Sequence, residues 1–341
     1  MSEYTMVVGS YNDAQSEAIR VLSFQPENGR LVYVGGVQGI ESPSFLAFDE
    51  EHGRLYAVSE TDHGCVVSYA YDGQSRRFTE LNRQSTHGQS PCYVSVSGRY
   101  VYTANYTSGN ICVYPLDANG ELESASCVIQ FSGSGPVPSR QESAHAHAIV
   151  VDPVSKHVLA TDLGTDSIRM YENREGVLYE TTTLSTPPGS GPRHVAFHPN
   201  GAFLYVVTEL DSTLLVYRRN QFNLFDHIQT IDLLPEGDTS VRWSAHVAID
   251  SAGRFLYASN RGPDNLTVFS VESDGRVERV GHVPCGGKTP RHFSITPDGG
   301  FIIVANQDSD TLAVLRIGSD GIPQDTQHRL EMPRPVCVIA T

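Results

Sequence analysis

Three short segments hold the side chains best suited to chemistry. "SAHAHAIV" sets His145 and His147 two residues apart, "GPRHVAF" sets Arg193 beside His194, and "PRHFSI" sets Arg291 beside His292. Glu209 follows Arg193 by sixteen residues, and Arg261 ends a window that opens on His246. Imidazole moves protons near neutral pH. Guanidinium offers a planar donor fork to carboxylate or phosphate. Gathered in one place, these groups form a locally basic pocket that draws in a small anion and acts on it by proton transfer. The i, i+2 spacing of His145 and His147 puts both on one strand face. That spacing also permits a metal, but the sequence fixes no third ligand.

A repeat brings such distant residues together. Five windows of sixteen residues share one frame, starting at Phe45, His147, His194, His246 and His292. A sixth, from Tyr93, is two residues shorter, and the steps between starts are 48, 54, 47, 52 and 46 residues. Each window alternates apolar and polar residues about a Gly, Pro, Asn or Asp turn, as a β-hairpin does. A third alternating run follows each window, "TLLVYRR" for example, and then a weaker fourth such as "FDHIQTIDL". Four antiparallel strands in 45–50 residues make a propeller blade. The expected fold is all-β, a seven-bladed β-propeller of four-stranded antiparallel blades, as a single domain over residues 1–341. "PVCVIAT" at the C-terminus supplies the first strand of the N-terminal blade and closes the ring.

In such a blade, the start of the first strand and the end of the second meet at one face, beside the central channel. The frame therefore predicts a polar ring at the channel mouth. Its first places are Phe45, His147, His194, His246 and His292, and its last places are Glu60, Asp162, Glu209, Arg261 and Gln307. Asn105, His145, Arg193, Arg242, Asn260, Arg291 and Asn306 flank them. The first-place histidines read equally as packing residues. The insertion "FSGSGPVPSRQESAHA", residues 131–146, reads as a lid over the mouth or as a plain surface connection. Arg76–Arg77 and Arg218–Arg219 read as solvated faces.

Composition excludes some partners. Formal net charge is −15, from 24 Lys and Arg against 39 Asp and Glu, which disfavours nucleic acid. No apolar run reaches the length of a membrane helix, and "MSEYTMVVGS" does not read as a signal peptide. Cys65, Cys92, Cys112, Cys127, Cys285 and Cys337 are scattered without a CxxC pair, as in a reducing compartment. The expectation is a cytoplasmic monomer without a membrane partner.

"GPRHVAFHPNGAFLYVVTE", "SAHAHAIVVDP", "FLYASNRGPDNLTVF", "PRHFSITPDGGFIIVANQDSD" and "SPCYVSVSGRYVYTANYTSGNICVYPLD" resemble the seven-bladed propeller lactonases along essentially the whole chain. That family includes the bacterial propeller-type 6-phosphogluconolactonase and the fungal 3-carboxy-cis,cis-muconate lactonizing enzyme. The resemblance implies a cofactor-free site in the channel mouth, built from a His, two Arg and a Glu. It maps the His to His145 or His147, one Arg to Arg193, the Glu to Glu209, and the second Arg to Arg261 or, failing that, Arg291. His194, His246, Arg291, His292, Asn105 and Asp162 would then line the substrate pocket. The implied activity is hydrolysis of a small anionic sugar lactone, 6-phosphogluconolactone by default. Ring closure on a muconate and hydrolysis of another sugar-acid lactone are the alternatives within the family. Two further readings belong to other classes: a metal-dependent sugar lactonase using Glu60, Asn105, Asp162, Glu209, Asn260 and Asn306, and a scaffold that binds protein at its rim. No G-x-S-x-G elbow suggests a covalent serine route.

Overall fold

The computed structural model describes residues 3–341. Seven four-stranded antiparallel sheets form a ring. Blade 1 pairs Pro335–Ala340 with Tyr4–Ser10, followed outward by Ile19–Gln25 and Arg30–Val37. The closing pairs are Met6↔Ala340, Val7↔Ile339, Val8↔Val338 and Gly9↔Cys337. Joining the two chain ends within one sheet removes two edges that would otherwise be open and locks the ring. The remaining helical structure among the described residues is two 3-10 turns, Leu163–Thr165 and Gln307–Ser309. No helix among these residues is long and apolar enough to cross a membrane.

Blade 5 shows why the sequence folds this way. Its strands are Pro192–Phe197, Phe203–Thr208, Thr213–Arg219 and Phe225–Asp232. Second-strand residues Leu204, Tyr205, Val206 and Val207 are fully buried, because both faces of an inner strand pack on neighbouring blades. Burying each such side chain stabilises the fold by roughly 1.5–3 kcal/mol. Tyrosines of the second strands then tie blade to blade. Tyr56 donates to the Gly120 carbonyl at 3.1 Å, Tyr205 to Gly275 at 3.1 Å and Tyr257 to Gly321 at 2.9 Å. Each acceptor lies in a turn of the next blade, where the glycine adopts a positive φ of 78–86° that other residues reach only with strain.

Arg219 departs from its expected place on a solvated face. It grips Asp152 with two bonds of 2.6 and 2.7 Å, and its side chain is 9% exposed. Asp152 follows the first strand of blade 4, so this pair also links adjacent blades. The strand pattern of "TLLVYRR" could not show that an acid from another repeat reaches its end.

Candidate active site

The backbone identifies the seven equivalent residues at the end of the second strands. In six blades the amide of this residue donates to the carbonyl of the residue directly preceding the first strand, and in blade 2 to that of Ser42, four residues before Leu46–Asp49. The seven donors are Tyr11, Glu60, Tyr106, Leu163, Glu209, Arg261 and Gln307. Six of the seven are polar. Blade 4 is out of step with the sequence frame by one residue, so Leu163 stands where Asp162 was expected. Strand pairing agrees: Ala146↔Asp162 in blade 4 corresponds to Pro192↔Thr208 in blade 5. His147 is therefore the counterpart of Arg193, not of His194.

A bulge near the start of the first strand creates two stacked layers. The register shifts at Cys92, His147, Arg193 and Arg291, and across Ala245–His246. Strict alternation would send Arg193 and His194 to opposite faces; an extra residue re-aims one of them. Arg193, His194, Arg291 and His292 consequently line one cavity with Ser44, Phe45, Glu60, Cys92 and Val336. That cavity is about 10 Å³, room for about one water.

Glu209 is the hub of the mouth. Its Oε2 accepts from Arg193 Nε at 2.9 Å and pairs with Arg261 Nη2 at 2.7 Å, while Oε1 pairs closely with Arg140. Burial alone would raise its carboxyl, but Arg261 and Arg193, with His147 and Arg140, outweigh burial and hold it well below the usual carboxylate range. Glu209 is therefore ionised and a weak base. Burial, followed by the Arg261 charge, lowers Arg193 to about 9, which leaves it cationic at neutral pH. Arg193 also donates through Nη1 to the Ala245 carbonyl at 2.6 Å and to His194 Nε2 at 3.1 Å. Arg261 also donates through Nε to the Trp243 carbonyl and through Nη2 to the Ser244 carbonyl.

Arg291 differs from both. It makes no hydrogen bond to any described residue, and its guanidinium sits 5.2 Å from the Tyr11 ring centroid. Tyr11 donates to Glu60 at 2.9 Å. Burial would lower Arg291, yet Tyr11 and Glu60 hold it above the ordinary arginine value.

His145 and His147 separate clearly. His145 Nδ1 donates to the Tyr106 carbonyl at 2.9 Å, because a carbonyl can only accept. In the neutral ring this leaves the lone pair on Nε2, which lies 3.3 Å from Glu142, an ion-pair distance once the ring is protonated. The Tyr106 ring stacks on His145 at 4.5 Å, and Asp162 Oδ1 accepts the His145 amide at 2.8 Å. His147 lies inside the channel, where burial, then Arg193, pushes it well below the usual imidazole value.

His194, His246 and His292 form the deeper layer with Phe45 and Tyr93. Since Arg193 donates to His194 Nε2, the proton of His194 is on Nδ1 and is donated to His246 Nδ1 at 2.9 Å. The His246 and His292 rings stack at 3.8 Å, and His292 Nδ1 accepts from the Val338 amide at 3.4 Å. Burial holds His194 and His246 well below the usual range and, helped by Arg193, takes His292 down to about 3. These three rings are neutral packing groups beneath the mouth.

Asn105 and Asp162 sit one residue before the mouth positions, and alternation turns them away. Asn105 is fully buried and donates to the Thr86 carbonyl; Asp162 accepts from His145, Gly164 and Thr165. Asn260 and Asn306 occupy the same column and are likewise bonded inside the fold. Arg242 turns to Asp232 at 3.0 Å. The oxygen donors of the metal reading thus point to separate partners. No group of three or more His, Cys, Asp or Glu among the described residues is gathered as a metal would require.

Sequence reasoning missed Arg140, Tyr106 and Trp243. Tyr106 was legible, since it ends the short sixth window. Arg140 lies in the 131–146 insertion, which has no counterpart in other repeats and so no frame. Trp243, 45% exposed, stands with its ring 5.6 Å from the Arg261 guanidinium and 6.0 Å from that of Arg140. Trp243 and His145 occupy equivalent places just before the first strand. In the other five blades that place is Ser42, Ser90, Gly191, Thr289 or Arg334, all with φ of +43 to +64°. His145 and Trp243 leave this left-handed conformation, which bulky side chains resist.

A family model described as "Lactonase, 7-bladed beta-propeller" matches residues 5–340. The chain is 35% identical to a 6-phosphogluconolactonase of Bacillus subtilis, over 86% of this chain and 85% of the relative. It is 31% identical to a 6-phosphogluconolactonase of Formosa agariphila, covering 85% of each. The solved structure of a periplasmic gluconolactonase from Pseudomonas aeruginosa superposes with a TM-score of 0.93 at 31% identity, covering 100% of this chain and 99% of that one. With a matching family model over nearly its full length, the chain belongs to the seven-bladed β-propeller lactonase family.

Proposed function

We propose that the protein hydrolyses an anionic sugar lactone, with 6-phosphoglucono-1,5-lactone the best-fitting substrate and 6-phosphogluconate the product, a step of the pentose phosphate pathway. The observation that carries this reading is Arg291, a guanidinium without a hydrogen-bonded partner among the described residues that shares a cavity with Arg193. Arg291 is partly buried, and its open N–H donors at the cavity are completed by an anionic ligand. Two relatives named 6-phosphogluconolactonase support the substrate class.

His145 Nε2 accepts a proton from water as the oxygen attacks the lactone carbonyl. Arg193 and Arg291 stabilise the oxyanion. As the tetrahedral intermediate collapses, the bond from the acyl carbon to the ring oxygen breaks, and the departing oxygen takes a proton from the His145 imidazolium. Water and lactone become a hydroxy acid, which ionises to its carboxylate. Glu209 remains charged throughout and holds Arg193 and Arg261 in place. We further propose a cytoplasmic monomer, a setting that suits six free cysteines; size-exclusion chromatography with light scattering checks the oligomeric state.

The test is a pH-indicator assay on freshly prepared 6-phosphoglucono-1,5-lactone beside unphosphorylated glucono-1,5-lactone. Fast turnover of the phosphorylated compound is expected, and hydrolysis of neither lactone above the spontaneous rate overturns the reading. Arg291→Ala should lower kcat/KM by about 100- to 1,000-fold, as loss of an oxyanion donor does.

A further inference from the structure

We infer that Arg140 determines substrate specificity by binding the anionic substituent that the lactone carries away from its reacting carbonyl. This inference rests on the lactonase reading. Three arginines meet Glu209, and they are not alike. The side chains of Arg193 and Arg261 are 2% and 9% exposed, whereas Arg140 is 28% exposed. Arg193 lines the inner cavity with Arg291; Arg140 does not. A substituent remote from the scissile carbonyl therefore trails outward past Arg140. Only Nη2 of Arg140 bonds to described residues, namely Glu209 and the Tyr106 hydroxyl. Its Nε and Nη1 have no partner there, and an anion with three acceptor oxygens can use them.

The insertion that carries Arg140 is built rather than loose. The neighbouring Gln141 is fully buried. Its side chain donates to the Leu163 carbonyl and to Asp166 Oδ1, both at 2.8 Å, and accepts from the Val137 amide at 3.1 Å. Asp166 also accepts the amides of Gly191 at 2.8 Å and Gly189 at 2.6 Å. One carboxylate thus anchors both the insertion and the turn that delivers Arg193. The backbone beneath Arg140 is fixed, while its side chain keeps open donors at the mouth.

The experiment compares wild type, Arg140→Ala and Arg140→Lys on phosphorylated and unphosphorylated glucono-1,5-lactone. Binding of 6-phosphogluconate is followed separately through the fluorescence of Trp243, the single tryptophan. Arg140→Ala should reduce the preference for the phosphorylated lactone, as a ratio of kcat/KM values, by tenfold or more. The loss should fall mainly on KM, and Arg140→Lys should recover part of it. The Kd for 6-phosphogluconate should rise in parallel. An unchanged preference with an unchanged Kd overturns the inference while leaving the lactonase reading intact. Absence of wild-type turnover, with 6-phosphogluconate binding that still depends on Arg140, overturns the lactonase reading and leaves the anion site. Absence of both turnover and binding overturns both.

Discussion

The channel mouth and the layer one residue deeper use the same side-chain type to opposite ends. At the mouth, His145 has one nitrogen fixed on the Tyr106 carbonyl and the other beside an exposed carboxylate. Beneath it, His194, His246 and His292 pack ring against ring, neutral and desolvated. Partners, not exposure or residue identity, separate a proton carrier from a packing group: His145 is 4% exposed, much like His194 at 3% and His292 at 5%, but its Nε2 faces a carboxylate where their rings face other rings and the backbone. The same contrast governs the charges. Glu209 tolerates burial because three guanidiniums surround it, whereas the layer below holds its rings by giving up charge altogether.

The strongest way to break this contrast is to remove the hub. Glu209→Gln leaves Arg193 and Arg261 buried without a countercharge. Urea denaturation should show a loss of about 3–5 kcal/mol, the cost of breaking a buried ion pair from one side. Lactone turnover should fall with it. A Glu209→Gln protein as stable as wild type would mean that solvent already screens the cluster.

Next comes the pair of histidines that the chain places two residues apart. His145→Gln should lower kcat by about 100- to 10,000-fold, the range for losing a general base. His147→Gln should lower it far less, since a ring held neutral by burial and Arg193 is poorly suited to proton transfer. Steady-state kinetics on both variants decides between them, and equal losses would erase the distinction between mouth and interior.

The smallest effect sharpens the comparison from below. His292 sits at about 3 in the fold against 6.5 when unperturbed. Between those values the unfolded chain binds a proton that the native protein refuses. Stability contributed by His292 is therefore full above about pH 6.5 and declines as pH falls toward 3, by about 1.4 kcal/mol per pH unit. Unfolding free energies from urea titrations between pH 6 and pH 4 should decline less steeply in His292→Gln by that amount. Parallel slopes would place a proton on the native ring.

Much of this was legible in the sequence. Window spacing predicted seven blades, and the orphan strands "YTMVVGSY" and "PVCVIAT" predicted how they close, because alternation with period two and turn residues are local properties of the chain. Arg193, Glu209 and Arg261 stood out for the same reason, as charged residues at fixed places in an apolar frame. Register was not local. Blade 4 slips by one residue, which swaps Asp162 for Leu163 at the mouth and moves His147 beside the Arg193 layer, since a single-residue shift reverses every side chain.

Sequence by itself determined the architecture and the charged types that reach the channel. Tertiary structure alone decided which of them share a carboxylate, which nitrogen of His145 is left open, and that Arg140 joins from an insertion outside the repeat. Those outcomes depend on bulges, desolvation and contacts between blades far apart in the chain, and no local pattern encodes them.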